Sequence, residues 1–175
     1  MRMQPYFLIQ VILAGMTFSG NAQAPADSGL LTIDRIFNST EFLRESAPDI
    51  QWIEGGEAYI MSEPAENKPA WTDLVKVKTK TQDKSMYIPA DKLIPPGDST
   101  PLSIEEFTLS NDESKVLIFT NSSRVWRTNT KGDYWVYDLA SGHLSRLGKS
   151  FPPSSLMFAK FSNDNHFVAY VHDFN

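Results

Sequence analysis

The stretch Arg124-Val125-Trp126-Arg127-Thr128-Asn129-Thr130-Lys131-Gly132-Asp133-Tyr134-Trp135-Val136-Tyr137-Asp138-Leu139 decides how the chain is read. Its second half alternates. Tyr134, Val136 and Asp138 point one way, and Trp135, Tyr137 and Leu139 the other. Alternation of aromatic and β-branched residues marks a strand, because successive side chains leave opposite faces of a pleated backbone. Ser141-Gly142 then signals a turn, and His143 to Leu147 reads as the returning strand. The expected unit is a hairpin with an arginine-bearing loop in front of it.

Working outward, the same unit recurs. Upstream, Ile104 to Leu109 and Lys115 to Thr120 read as strands around the turn Ser110–Ser114. Downstream, Leu156 to Phe161 and Phe167 to Val171 read as strands around Ser162–Asn165. Leu109-Ser110-Asn111-Asp112 returns as Phe161-Ser162-Asn163-Asp164. Trp52-Ile53-Glu54-Gly55-Gly56 holds the matching place in a first round, with strands expected at Ile50–Ile53, Ala58–Met61, Trp71–Lys80 and from Ser85 to Ile88. A proline-containing connection is expected between the second and third of these. Self-similarity at about 50 residues with four strands per unit is the pattern of β-propeller blades. The expected fold is therefore all-β: a partial β-propeller of two and a half four-stranded blades over 49–175. A helical lead-in over 25–48 precedes it, with helical spacing from Leu30 to Glu45 broken near Asn38-Ser39, and is expected to pack on the β domain.

Residues 1–24 have the layout of a secretory signal. Arg2 supplies the positive end, Tyr6 to Met16 is apolar apart from Gln10, and Ala22-Gln23-Ala24 has the A-x-A form. Cleavage is expected after Ala22 or Ala24, giving a secreted or periplasmic protein with no membrane span. The alternative is an uncleaved N-terminal anchor. The chain has no cysteine, which excludes disulfides, a cysteine-based zinc site and a lipid-modified cysteine. His143, His166 and His172 lack metal-ligand spacing, and the Ser-Asn-Asp turns lack the spaced oxygens of a calcium loop. No metal and no cofactor are expected. The net charge of −5 carries no basic face, so nucleic acid is not an expected partner.

The run Arg124-Val125-Trp126-Arg127…Gly132-Asp133-Tyr134-Trp135-Val136-Tyr137-Asp138-Leu139, with Met157-Phe158-Ala159-Lys160-Phe161-Ser162 downstream, resembles the N-terminal propeller of the dipeptidyl peptidase IV family. Leu31-Thr32…Arg35-Ile36-Phe37 and Gln51-Trp52-Ile53 extend the resemblance across residues 30 to 175. The resemblance implies a secreted or membrane-tethered serine exopeptidase that removes N-terminal dipeptides. It implies a propeller covering an α/β-hydrolase domain, with peptide substrate held between them, and a homodimer as the full-length assembly. It also implies that Arg127 contacts a substrate carbonyl. Trp126 is a weaker substrate-binding candidate, since large aromatics between blades are usually core. On chemistry alone, the favoured reading is Arg127 paired to a neighbouring carboxylate or stacked on Trp126, and the resemblance brings the substrate contact level with it.

Arg124 is expected to be structural, Trp135 and Tyr137 to be packing residues, and Asp133 to be a hydrogen-bonding anchor. Glu105-Glu106 is an acidic pair at a strand opening, read as surface and not as the family's paired-glutamate motif. No G-x-S-x-G elbow occurs in the chain, and no catalytic residue is assigned. A serine acyl transfer needs an activated nucleophile and its base, so this chain alone is expected to be inactive, with its catalytic domain missing. The rival expectation is a non-catalytic envelope propeller acting as a binding or scaffold module, because a fold alone does not decide function.

Overall fold

The structure is a computed structural model, and it describes residues 29–43 and 48–173. The expected signal segment and both of its cleavage points lie outside the described residues. The chain divides into two compact units, 1–45 and 46–175.

In the first unit the helix is shorter than its periodicity predicts. Among the described residues of this unit, the helix that forms is α1 (Ile33–Phe37). The Thr32 hydroxyl accepts from the Arg35 N–H at its start. At its end the Asn38 side chain donates to Asp34, and the Ser39 hydroxyl donates to the Arg35 carbonyl. Short polar side chains that bond to nearby backbone compete with helix propagation, which is why Asn38-Ser39 ends it. No described helix is long and apolar enough to cross a membrane.

The second unit is all-β. Sheet one is an antiparallel meander of β1 (Ile50–Ile53), β2 (Ala58–Ala65), β3 (Lys68–Lys78) and β4 (Lys84–Ile88). Sheet two repeats it with β5 (Glu106–Leu109), β6 (Lys115–Val125), β7 (Thr128–Asp138) and β8 (His143–Arg146). A third hairpin follows, β9 (Leu156–Phe161) with β10 (Val168–His172). It joins β7 through the single pair Gly132–Leu156. These sheets do not close into a ring among the described residues.

One connection differs from expectation. Between β2 and β3 there is a tight hairpin in which Ala65 pairs with Lys68, with Pro64 and Pro69 inside the strands. Both prolines are exposed, and the register shifts beside Pro64. Proline lacks a backbone donor, and a bulged, solvent-facing stretch of ladder tolerates that loss.

The alternation in β6 and β7 places sheet two between two cores. Val116, Ile118, Tyr137 and, partly buried, Trp135 join Ile53, Ala58, Ile60, Leu74 and Ile88 of sheet one in one apolar cluster. Leu117, Phe119 and Tyr134 face the other way and pack with Leu156 of β9. Trp135 and Tyr137 are thus packing residues, as expected.

The turns that bind the sheets together repeat almost atom for atom. The Ser110 hydroxyl donates to Asp112 and accepts from the Lys115 N–H. The Ser162 hydroxyl donates to Asp164 and accepts from the Phe167 N–H. Glu113 and Asn165 occupy the same place, each in the left-handed region. Each reaches back to the preceding turn: Glu113 accepts from the Glu54 N–H at 2.9 Å, and Asn165 accepts from the Asn111 N–H at 2.9 Å. Hydroxyl and backbone donors around Asp112 hold its carboxyl down at about 2. These are hairpin turns. No group of residues that could hold a metal ion occurs among the described residues.

Candidate functional site

The arginine-bearing segment is not a loop. β6 runs on to Val125 and β7 starts at Thr128, so Arg124 to Lys131 forms the end of a long hairpin whose two-residue turn is Trp126-Arg127. Its ladder shifts register between Thr120 and Arg124. Bulges of this kind break the two-residue period, which is why the sequence pattern hides the strands there.

Trp126 sits at φ 60° and is 91% exposed. It is not core. A bulky residue in the left-handed region is strained, and that state persists only where the surroundings hold it. Here the Arg124 guanidinium donates through Nε to the Trp126 carbonyl at 3.1 Å, so Arg124 is structural as expected. Arg127, the other turn residue, is exposed and makes no hydrogen bond, ion pair or ring contact with any described residue. The tip from Ser122 to Lys131 carries Arg124, Arg127 and Lys131 and no acidic residue. An unengaged guanidinium beside an outward indole offers a planar donor fork and an apolar ring to a peptide-like group.

The base of the hairpin is polar and buried. Asp133 is 7% exposed. Its carboxylate accepts from Asn121 Nδ2 at 2.8 Å, from Arg146 Nη2 at 2.7 Å and from the Ser154 N–H at 3.0 Å. The Ser154 hydroxyl donates to the Asn121 carbonyl, and Glu105 accepts from the Ser122 N–H at 2.9 Å. Asp133 is therefore the anchor expected of it. Glu105 pins the hairpin base, a role that its position before a strand does not reveal. Beside Asp133, Gly132 has no room for a side chain: a Cβ there would lie 2.3 Å from the Phe119 ring and 2.8 Å from the Thr120 carbonyl. Tyr134, one residue further, has its hydroxyl pushed up by burial, with backbone donors at Ala159 and Phe158 pulling the other way.

Two concave regions lie elsewhere. A groove of about 470 Å³ runs between β5 and β9, lined by Phe107, Phe119, Tyr134, Phe158 and Phe161 among others. A shallower cleft of about 240 Å³ lies by the β2–β3 hairpin, where Lys68 Nζ stands 3.6 Å above the Trp71 ring. Glu106 lines the first groove, and Glu105 and Glu106 do not converge on a common point with Arg127 in any contact. His143, His166 and His172 are dispersed, and His172 stacks on Phe151 with ring centroids 4.0 Å apart.

The family profile described as the dipeptidyl peptidase IV N-terminal region matches residues 110–175, the segment that holds the hairpin and its anchors. The dipeptidyl aminopeptidase B of Saccharomyces cerevisiae is 36% identical over 74 residues, which is 42% of this chain and 8% of that protein. A probable dipeptidyl-aminopeptidase B of Pyrenophora teres f. teres is 25% identical over 159 residues, 83% of this chain and 16% of that protein. Among solved structures, Porphyromonas gingivalis dipeptidyl peptidase 4 superposes with a TM-score of 0.62 at 18% identity, covering 82% of this chain and 19% of that one. The last of these shows a shared fold. The chain spans less than a fifth of the length of each of these proteins. The matched segment begins at the Ser110 turn and takes in β6 to β10.

Proposed function

We propose that the two sheets and the third hairpin are blades of a β-propeller in a dipeptidyl peptidase IV-like serine exopeptidase. Their part is to gate and orient the peptide, and the nucleophile, its base and its acid belong to residues outside this chain. Arg127 contacts a carbonyl oxygen near the amino end of the peptide, and Trp126 offers an apolar wall beside it. The observation that carries this reading is the presented state of the turn. The Trp126 indole and the Arg127 guanidinium both face solvent, while Arg124 secures the backbone beneath them. The secreted location and a homodimer of the full-length protein belong to the same reading.

The test uses this chain. Binding of Ala-Pro dipeptide amide is measured by calorimetry or by tryptophan fluorescence, and again after Arg127→Ala. Loss of one charge-assisted hydrogen bond corresponds to about a tenfold weakening or more. Equal affinity in the two proteins would overturn the assignment of Arg127. No detectable binding by the unmodified chain would overturn the claim that this region contacts peptide by itself.

A further inference from the structure

The buried carboxylate beneath the hairpin does more than stabilise the sheet. We propose that Asp133 is the positioning residue of the Trp126–Arg127 turn: it clamps the hairpin base to the segment leading into β9, so docking of the third hairpin sets where the turn points. The consequence for peptide binding rests on the reading of Arg127 given above. The clamp itself does not.

Four elements meet at this carboxylate. It lies on β7. Asn121, on β6 opposite, donates to it at 2.8 Å and has φ 50°. Arg146, on β8, donates at 2.7 Å. The Ser154 N–H comes from the connection between β8 and β9 at 3.0 Å, and Ser154 too is in the left-handed region, at φ 55°. The Ser154 hydroxyl then closes the ring by donating to the Asn121 carbonyl. Two residues of the ring thus hold backbone conformations that L-residues adopt at some cost, and both are tied by hydrogen bonds to the same carboxylate.

The position of the ring decides its effect. Beyond Asn121 and Asp133 this hairpin projects past β5 and β8, and apart from Gly132, which pairs with Leu156 of β9, its two strands ladder with each other. A two-stranded ribbon on its own is marginally stable in water. Its direction is therefore set where it leaves the sheet, and there Asp133, the Ser154 hydroxyl and the Glu105–Ser122 bond attach it. Gly132 fits the same purpose. With no side chain it lets β7 approach Phe119 closely and pair with Leu156 of β9, bringing Ser154 within reach of Asp133. Every group at the carboxylate is a donor, so a neutral amide in its place keeps the shape but turns an NH₂ toward one of them.

The experiment is hydrogen exchange read by mass spectrometry on the whole chain, as Asp133→Asn and as Ser154→Gly. The second variant keeps the N–H and suits the backbone angle, and removes the hydroxymethyl group. In Asp133→Asn, amides across 122–131 are expected to exchange at least tenfold faster relative to those of β2 in sheet one. In Ser154→Gly the same segment is expected to exchange about threefold faster relative to β2. Affinity for Ala-Pro dipeptide amide is expected to fall in Asp133→Asn although Arg127 is intact. Loss of protection by the same factor in both sheets would overturn the proposal, because Asp133 would then be acting through overall stability alone. Unchanged protection at 122–131 would overturn it as well. If the hairpin loosens but peptide binding is unaffected, the clamp stands and the reading of Arg127 as a peptide contact falls.

Discussion

The two sheets pair tryptophan with a basic residue at matching ends, and treat the pair in opposite ways. At the β2–β3 hairpin, Lys68 folds its ammonium over the Trp71 ring at 3.6 Å, so cation and aromatic face satisfy each other. At the β6–β7 hairpin, Arg124 holds the backbone of the turn while Trp126 and Arg127 face outward. The registers align the anchors. Six pairs into each ladder, Glu63 pairs with Asp73 in sheet one and Thr120 with Asp133 in sheet two. Asp73 accepts from the Ala90 N–H at 2.7 Å. Asp133 gathers three donors, among them the Ser154 N–H. Each sheet thus uses the same aspartate of its third strand to hold its outgoing connection, and sheet two adds Asn121 and Arg146 to it. One step beyond, sheet one has Thr72 where sheet two has Gly132.

The comparison breaks most sharply at Asp133→Leu, which removes the carboxylate that both sheets share. It leaves the guanidinium of Arg146 without its carboxylate, and Arg146 Nε is already buried with no partner. Breaking such a pair by removing one member is expected to destabilise the unit by about 3 kcal/mol. Chemical denaturation followed by tryptophan fluorescence measures it, and a change below about 1 kcal/mol would mean that the three donors add little to the anchor of sheet two.

Gly132→Ala comes next. Phe119 and the β6 backbone must give way to the new methyl, with an expected loss of about 2 kcal/mol. Asp73→Ala, at the position matching Asp133, only removes an acceptor from the Ala90 N–H, and about 1 kcal/mol is expected. Equal effects of Asp73→Ala and Asp133→Leu would remove the contrast.

The smallest effect tests how the sheets meet. Tyr87 lies in sheet one, and burial, then the charge of Glu113 on the first turn of sheet two, push its hydroxyl up to about 12. Its pKa is higher folded than unfolded. The associated stability is therefore fully present below the ordinary tyrosine value near 10 and is lost as pH rises from about 10 to 12. Absorbance titration near 295 nm is expected to show late-ionising tyrosines, of which Glu113→Gln brings one to lower pH. An unmoved midpoint would mean that Glu113 does not reach Tyr87 in solution.

Much of the strand order was legible because burial writes itself into alternation. Tyr134 to Leu139 could be assigned face by face, and the Ser-Asn-Asp turns could be matched because hydroxyl and carboxylate at fixed spacing build the same turn twice. The outer hairpin was not legible. Residues 121–131 are polar, bulged and solvent-facing, so no buried face imposes a period on them. Glu105 looked like a surface charge because its partner, the Ser122 N–H, is distant in sequence. Trp126 looked like core because tryptophan usually is.

By itself the sequence determined the all-β repeat, since apolar periodicity and turn chemistry are local properties of the chain, and its resemblance to a family marked the arginine worth testing. Only the tertiary structure decided that the arginine stands on a hairpin and that Asp133 holds its base. Those facts depend on hydrogen bonds between strands and connections that are remote in sequence, where no local pattern records which donor meets which acceptor.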